Sequence, residues 1–355
     1  MKKDDLLLIL QKGILAPSAD NLQPWKFKLF DNQIDLFLDY DHVKNFCDEG
    51  YLAPYLSAGA VIENMRVAAN HFEYSLTASY LPKKNDPLQV ATLNFSVGNQ
   101  GSDPYYTALD TRMTNRKFYD MSRRIDVSTY GKLERIVKSE EGFKLLWIKK
   151  NDLSLAKLSQ ILGQADQLRF ESKRLHQEFI ETLRFNQDEV KKTQDGLDLR
   201  TLEAGPMGDL LFKLTSSWQR LKFLNSLGVS RLFNFYTQLQ MSTSQAAGLM
   251  IAKSHEPIDY IRGGEVMERV WHEITLNGLS IQPMEALPIF LINLKLNGGR
   301  DFTQNQKRKL ENLKREFFSL FEIDDQNGLI LLFRIGYARP SSTRSLRRPL
   351  ESFLI

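Results

Sequence analysis

The sequence predicts an α+β fold made of two related halves, and three observations carry that reading. Helix-spaced and strand-spaced apolar patterns are mixed irregularly, with hairpins in place of repeated strand–helix–strand units. Hydrophobic residues make up 42% and charged residues 25% of the 355 positions, the proportions of a packed globular chain. A stretch near the start also recurs 205 positions later: Gly59, Val61, Glu63 and Ser75 repeat as Gly264, Val266, Glu268 and Ser280. Apolar residues match at the same offset at 62/267, 65/270, 69/274 and 76/281. Each copy reads as an amphipathic helix, with Met65, Ala69 and Phe72 on one stripe and Val270 and Ile274 on the other. A short segment then enters a strand, 75–80 in the first copy and 280–286 in the second.

The remaining elements follow in order. Leu7, Leu10 and Ile14 share one face of a first helix that ends before Pro17. Lys2 and Lys3 ahead of five apolar residues resemble the start of a secretory leader. Gln11 and Lys12 cut that run below the roughly 7–15 residues a leader needs, and Asp4 and Asp5 are foreign to its charged start, so the segment is read as structure. Residues 26–30 and 33–38 form a hairpin about Asp31-Asn32, and 91–97 a further strand. A long amphipathic stretch, one helix or two, covers 153–185, and aromatic helices punctuated by Gly205-Pro206 and Gly208 occupy 190–245. Residues 304–321 read as a charged surface helix and 329–335 as a buried strand. The apolar run 286–294 is strand-sized.

Several function classes are disfavoured. No run of about 18 apolar residues exists, so no helix spans a bilayer and no membrane partner is expected. Cys47 is the only cysteine, which precludes an intramolecular disulfide and favours a reducing, cytoplasmic setting. Lys and Arg total 47 against 43 Asp and Glu with interleaved signs, so no nucleic acid is expected. There is no Gly-x-Gly-x-x-Gly, no phosphate-binding Gly-Lys-Ser/Thr and no Gly-x-Ser-x-Gly. His272-Glu273 begins like a zinc-protease helix, but Leu276 stands where the second histidine belongs, and no metal site is expected.

Four segments concentrate chemistry. The first, Ala16-Pro17-Ser18-Ala19-Asp20-Asn21-Leu22-Gln23-Pro24-Trp25, reads as a loop, yet its small hydrogen-bonding residues beside an aromatic strand allow close approach to a flat polar ligand. In the second, Arg112, Thr114 and Arg116 point the same way if the backbone is extended, two guanidiniums flanking a hydroxyl. On its own this is also an ordinary solvated basic turn. The third runs from Arg334-Ile-Gly-Tyr337 to Arg347-Arg348-Pro349-Leu350; Arg344 and Arg347 belong to it, and a basic tail or a nucleic-acid contact explains the charge equally well. The fourth, 277–287, is a helix end capped by Gly278 and a turn into a strand, containing Met284, Glu285 and Ala286.

Together these segments resemble the FMN-dependent nitroreductase family. The first matches its "APSxxNxQPWxF" loop, the second its Arg-x-Ser-x-Arg/Lys signature with Thr114 for Ser, and the third its "RIGY…RRPL" ending. The resemblance implies a nitroreductase-like fold that binds FMN. Pro17, Ser18 and Asn21 would touch the cofactor from one half. Arg112, Thr114, Arg116 and Arg347, with Arg344 as understudy, would hold its phosphate and ribityl chain. A main-chain N–H near Met284, Glu285 or Ala286 would reach the flavin N5. No side chain is assigned as a catalytic group.

The Pro-Ser loop lies in the first repeat and the arginine and N5 segments in the second. That order resembles the Acg subfamily, in which two tandem halves form a single-chain pseudo-dimer. Residues 1–105 would be the N-terminal half and 106–355 the C-terminal half, with an insertion at about 165–245 as a possible lid. The implied activity is hydride transfer from NAD(P)H, or another reductant, through FMN to a small nitroaromatic or quinone-like acceptor. The alternative is a protein that binds or sequesters FMN under a cover, with little turnover. A monomer acting as a pseudo-dimer is implied.

Overall fold

Two four-stranded antiparallel sheets with the same wiring organise the chain. The computed structural model describes residues 1–43, 50–83, 85–98, 101–150 and 153–355. Cys47, and with it the reading of redox setting, lies outside the described residues.

The chain opens with α1 (Lys3–Gly13), which buries Leu6, Ile9 and Leu10. The hairpin of β1 (Trp25–Leu29) and β2 (Gln33–Leu38) follows, and in β2 burial alternates so that Ile34, Leu36 and Leu38 point inward. After the short α2 (Tyr40–Val43) come α3 (Leu52–His71), β3 (Tyr74–Tyr80) and β4 (Gln89–Val97). The first sheet runs β1-β2-β4-β3.

Next are α4 (Tyr106–Thr111), α5 (Val127–Lys138) and β5 (Phe143–Lys149). A mainly helical stretch follows: α6 (Leu153–Glu171), α7 (Lys173–Thr182), β6 (Leu183–Arg184), α8 (Gln187–Thr193), β7 (Leu197–Asp198), α9 (Gly205–Thr215), α10 (Trp218–Ser226) and α11 (Ser230–Ser242). Then come β8 (Ala246–Ala252), α12 (Pro257–Leu276), β9 (Ser280–Pro283), α13 (Ala286–Asn297), α14 (Gln304–Phe321) and β10 (Gly328–Gly336). The second sheet runs β5-β8-β10-β9. In both sheets two strands precede a 20-residue helix, the third strand takes the far edge, and the fourth inserts between second and third.

The two long helices, α3 and α12, cross at the repeated glycines. A Cβ on Gly59 would stand 1.9 Å from the Ile261 carbonyl oxygen, and one on Gly264 would stand 2.0 Å from that of Leu56. Ile261 follows Leu56 by the same 205 positions that separate the glycines, so the contact is reciprocal. Only a residue without a side chain permits main chains to approach so closely. Beside the crossing, Arg66 bridges Glu63 and Glu265, and Arg269 lies 3.3 Å from Glu63.

The last residues return to the start of the chain. Leu354 pairs in parallel with Phe27, and the buried Phe353 packs on Trp25 and Phe27 with centroid separations of 6.1 and 6.4 Å. Among the described residues no helix is long and apolar enough to cross a membrane.

Three local expectations are corrected. The α3 helix is not amphipathic: it is buried almost all round, because α12 and the first sheet cover opposite faces, and Phe72 follows its last residue. The stretch after α12 forms a strand only over Ser280–Pro283. The apolar run from Ala286 is a helix, with Pro288 in the first turn, where a missing N–H costs nothing, and Gly298 at φ 59° stopping it. Burial on several sides makes such a helix look like a buried strand by composition.

Candidate functional site

The loop after α1 is held in a shape few residues adopt. Asp20, Asn21 and Gln23 have φ of 46°, 58° and 54°, left-handed values that Asp and Asn tolerate better than most residues. The Ser18 hydroxyl accepts the Gln23 N–H at 2.9 Å. Asn21 Nδ2 donates to the carbonyls of Gly196 and Leu346, both at 3.1 Å, while its Oδ1 accepts from Arg347 Nη1 at 2.8 Å. Arg347 also donates to the carbonyls of Ile14, Leu15, Ala16 and Leu346 at 2.8–3.1 Å, so its five N–H groups all have protein partners. Three of those carbonyls lie just past α1, where helical carbonyls lack partners.

The second segment is extended, as its alternate spacing requires. Thr114 bridges Ile281 in parallel, and Asn115 N–H donates to the Ile281 carbonyl at 2.9 Å. Arg112 Nε stands 2.9 Å from Glu268 Oε1, with both side chains buried, and its Nη2 donates to the Leu15 carbonyl at 2.7 Å. Its guanidinium carbon lies 4.9 Å from the centre of the Trp271 ring. Arg116 donates Nη1–H to the Thr201 carbonyl at 3.0 Å and its main-chain N–H to Glu203 Oε2 at 3.1 Å. Arg344 donates to the carbonyls of Leu109 and Asp110 at the end of α4.

Arg112 is buried and Arg116 and Arg347 are half-buried, while Arg344 is exposed. Burial, together with the neighbouring Arg112 and Arg344 guanidiniums, pushes Arg347 down to about 9, with Glu268 opposing the shift. Burial and Arg112 likewise lower Arg344, against Asp110. Arg112, beside them, has Glu268 as its own counter-charge.

At the start of α13, the Met284 N–H is used in the sheet, donating to the Leu332 carbonyl at 2.8 Å. That removes it as a donor to a ligand. Glu285 and Ala286 sit at the helix entrance, where main-chain N–H groups have no intrahelical partner. Glu285 Oε1 accepts the Leu332 N–H at 2.7 Å, and burial pushes its carboxyl up to about 8.

All four segments converge. Pro17, Ser18, Asn21, Arg112, Thr114, Arg116, Met284, Glu285, Ala286, Arg344 and Arg347 line one cavity of about 390 Å³, within the usual range of small-molecule sites. Aromatic residues of the helical stretch, including Phe170, Phe212, Phe233 and Tyr236, also line it. Sequence reasoning missed Asp166 and Arg169 on α6, Asp20 in the loop, and Trp271 on α12, which also line it. Burial raises both carboxyls, and Arg169 opposes the shift in each. The available signal was the charged i, i+3 pair Asp166 and Arg169 within the long helical stretch. Among the described residues no group of three or more His, Cys, Asp or Glu is placed to hold a metal ion.

Fold and site together define a mixed α+β protein with a ligand-sized, arginine-rich cavity walled by segments from both ends of the chain. The chain is 27% identical over 347 residues to an uncharacterized protein of Mycobacterium tuberculosis (strain CDC 1551 / Oshkosh), covering 96% of this chain and 47% of that protein. Over 87 residues it is 36% identical to a protein of the same strain provisionally named NAD(P)H nitroreductase acg, covering 24% of this chain and 26% of that one. The matches therefore span about half the length of the first relative and about a quarter of the second. No family model matches the chain. Among solved structures, the FMN-dependent nitroreductase NfnB of Mycobacterium smegmatis, in complex with NADPH, aligns at 11% identity and a TM-score of 0.39, over 70% of this chain and 96% of that one. A nitroreductase with bound FMN from Bacteroides fragilis aligns at 8% and 0.37, over 70% and 95%. Scores this low establish no common fold by themselves.

Proposed function

We propose that this chain is a nitroreductase-like flavoprotein of the Acg type, whose two fused halves enclose one FMN and pass reducing equivalents from NAD(P)H to a small nitroaromatic or quinone-like acceptor. The observation that carries the reading is convergence: eleven residues singled out from four separate segments line one cavity, four of them arginines. The matching sheet wiring and the reciprocal glycine contact support a fused pair of halves, divided near residue 105, with the helical stretch as an insertion in the second.

The residues fit the cofactor. A phosphate dianion would add counter-charge beside Arg344 and Arg347, whereas Arg112 already faces Glu268. Arg347 acts here by position and potential, since its N–H groups already hold the end of α1 and Asn21. Direct donation falls to Arg112, Arg344 and the Thr114 hydroxyl. The Glu285 and Ala286 N–H groups at the start of α13 offer donors to a flat ring, and the Glu285 carboxyl, neutral at pH 7, holds a proton beside them. When bound, FMN supplies the hydride-transfer chemistry.

The aromatic residues of the helical stretch that line the cavity favour the second reading, a covered flavin that exchanges slowly. The visible absorption spectrum of the purified protein tests both. Yellow protein that NADPH bleaches and a nitro compound recolours supports the reductase. Colour that dithionite bleaches and NADPH does not supports sequestration. A protein that neither retains nor takes up FMN overturns the proposal.

A further inference from the structure

Helices α9, α10 and α11 are apolar on two faces, and only one of these is used inside the protein. Their inner residues Phe212, Leu221 and Phe233 join a single cluster with Phe170 and Trp218, and Phe212 and Phe233 also wall the cavity. Yet α9 and α11 each carry a second apolar stripe at i, i+3, i+7 spacing, and α10 with its C-cap carries a pair at i, i+4. These are Met207, Leu210 and Leu214 on α9, and Leu232, Phe235 and Leu239 on α11, all of them exposed. On α10 the stripe is Phe223 and Leu227, preceded by the exposed Arg220. Met207, Phe223, Leu227 and Phe235 are 80%, 67%, 71% and 64% exposed, which is unusual for large apolar side chains gathered in one short stretch of a soluble domain.

The charges beside these stripes are one-sided. Lys213, Arg220, Lys222 and Arg231 are exposed on the same three helices, and Asp209 is the one acidic residue between 205 and 242. A second copy of the chain docked about a two-fold axis would set this basic surface against itself. An anionic phospholipid surface complements it: the stripes enter the headgroup boundary and the cations meet lipid phosphates.

We infer that the outer faces of α9–α11 form a peripheral docking surface for an anionic lipid bilayer. This revises the expectation of no membrane partner, since a surface contact needs no spanning helix. It does not depend on FMN. Two of these helices, α9 and α11, also line the cavity, through Phe212 and Phe233.

Co-sedimentation with vesicles of phosphatidylcholine, alone or mixed with phosphatidylglycerol, tests it. Binding about tenfold or more tighter to the anionic vesicles, and weakened by salt, is expected. The doubly substituted Phe223→Ser, Phe235→Ser and the charge-reversed Lys213→Glu, Lys222→Glu chains should each lose binding. All four positions are exposed, so the circular dichroism and melting of these variants should match the parent. Equal recovery in the supernatant with and without anionic vesicles overturns the inference. So does a stable dimer by light scattering that the Phe223→Ser, Phe235→Ser chain dissolves, because the stripe then belongs to a second copy.

Discussion

Arg347 and Asn21 lie 326 positions apart in the chain and are joined by a hydrogen bond of 2.8 Å from Nη1 to Oδ1. The same guanidinium holds three carbonyls beyond α1, so the C-terminal tail fastens the loop that the resemblance assigns to cofactor contact. An arginine singled out as an anion ligand is, in the folded protein, a structural tie.

Arg347→Ala should therefore cost stability before it costs chemistry. Removing a half-buried donor that satisfies several carbonyls should lower unfolding free energy by about 3 kcal/mol. Arg347→Lys should not restore it, because an ammonium lacks the planar fork. Urea unfolding of the three chains reads this, and an unchanged midpoint for Arg347→Ala would remove the tie.

The helix crossing makes a reciprocal prediction. Gly264→Ala and Gly59→Ala should each destabilise by about 3 kcal/mol or more, since main chain must yield to the new methyl. Gly131→Ala inside α5, where a Cβ meets nothing within 4 Å, is the control and should stabilise by about 0.5–1 kcal/mol. Thermal melts of the three variants suffice. A tolerated Gly264→Ala would mean the helices are further apart than described.

Glu285 sets a pH dependence. Its carboxyl titrates near 8 in the folded protein against an ordinary 4.5, so the native state holds the proton more tightly than the unfolded chain. The stability this confers is fully present below the ordinary value, is lost as pH rises toward 8, and changes no further above that. Glu285→Gln should flatten the decline across this window. Parallel slopes for parent and variant in urea titrations from acid to mildly alkaline pH would refute the assignment.

The arginine cluster predicts discrimination by phosphate. FMN at a hundred times its dissociation constant should stabilise the protein by about 2.7 kcal/mol. Riboflavin, which has the ring without the phosphate, should stabilise it far less, and the gap should narrow with added salt. Equal melting shifts for the two ligands would place the phosphate elsewhere.

Much of this was legible along the chain. The strand at 33–38 and the helix Gln304–Phe321 stand where local periodicity put them, because each has one core-facing side and clear stops, and the strand at 329–335, buried along its whole length, stands where its short apolar run put it. The α13 helix was missed because an element buried on several sides shows no period to read. The amphipathic reading of α3 failed for the same reason, its second face being covered by α12.

The amino-acid order alone determined which residue types gather in which segments, that Gly59 and Gly264 recur in matching surroundings, and that a lone cysteine can form no internal disulfide. Only tertiary structure decided that four distant segments share one cavity, that Arg347 has no N–H left to give, and that α9–α11 expose large apolar side chains. The physical reason is range. Propensity and periodicity act over a few residues, whereas burial, counter-charge and hydrogen-bond partners come from residues hundreds of positions away.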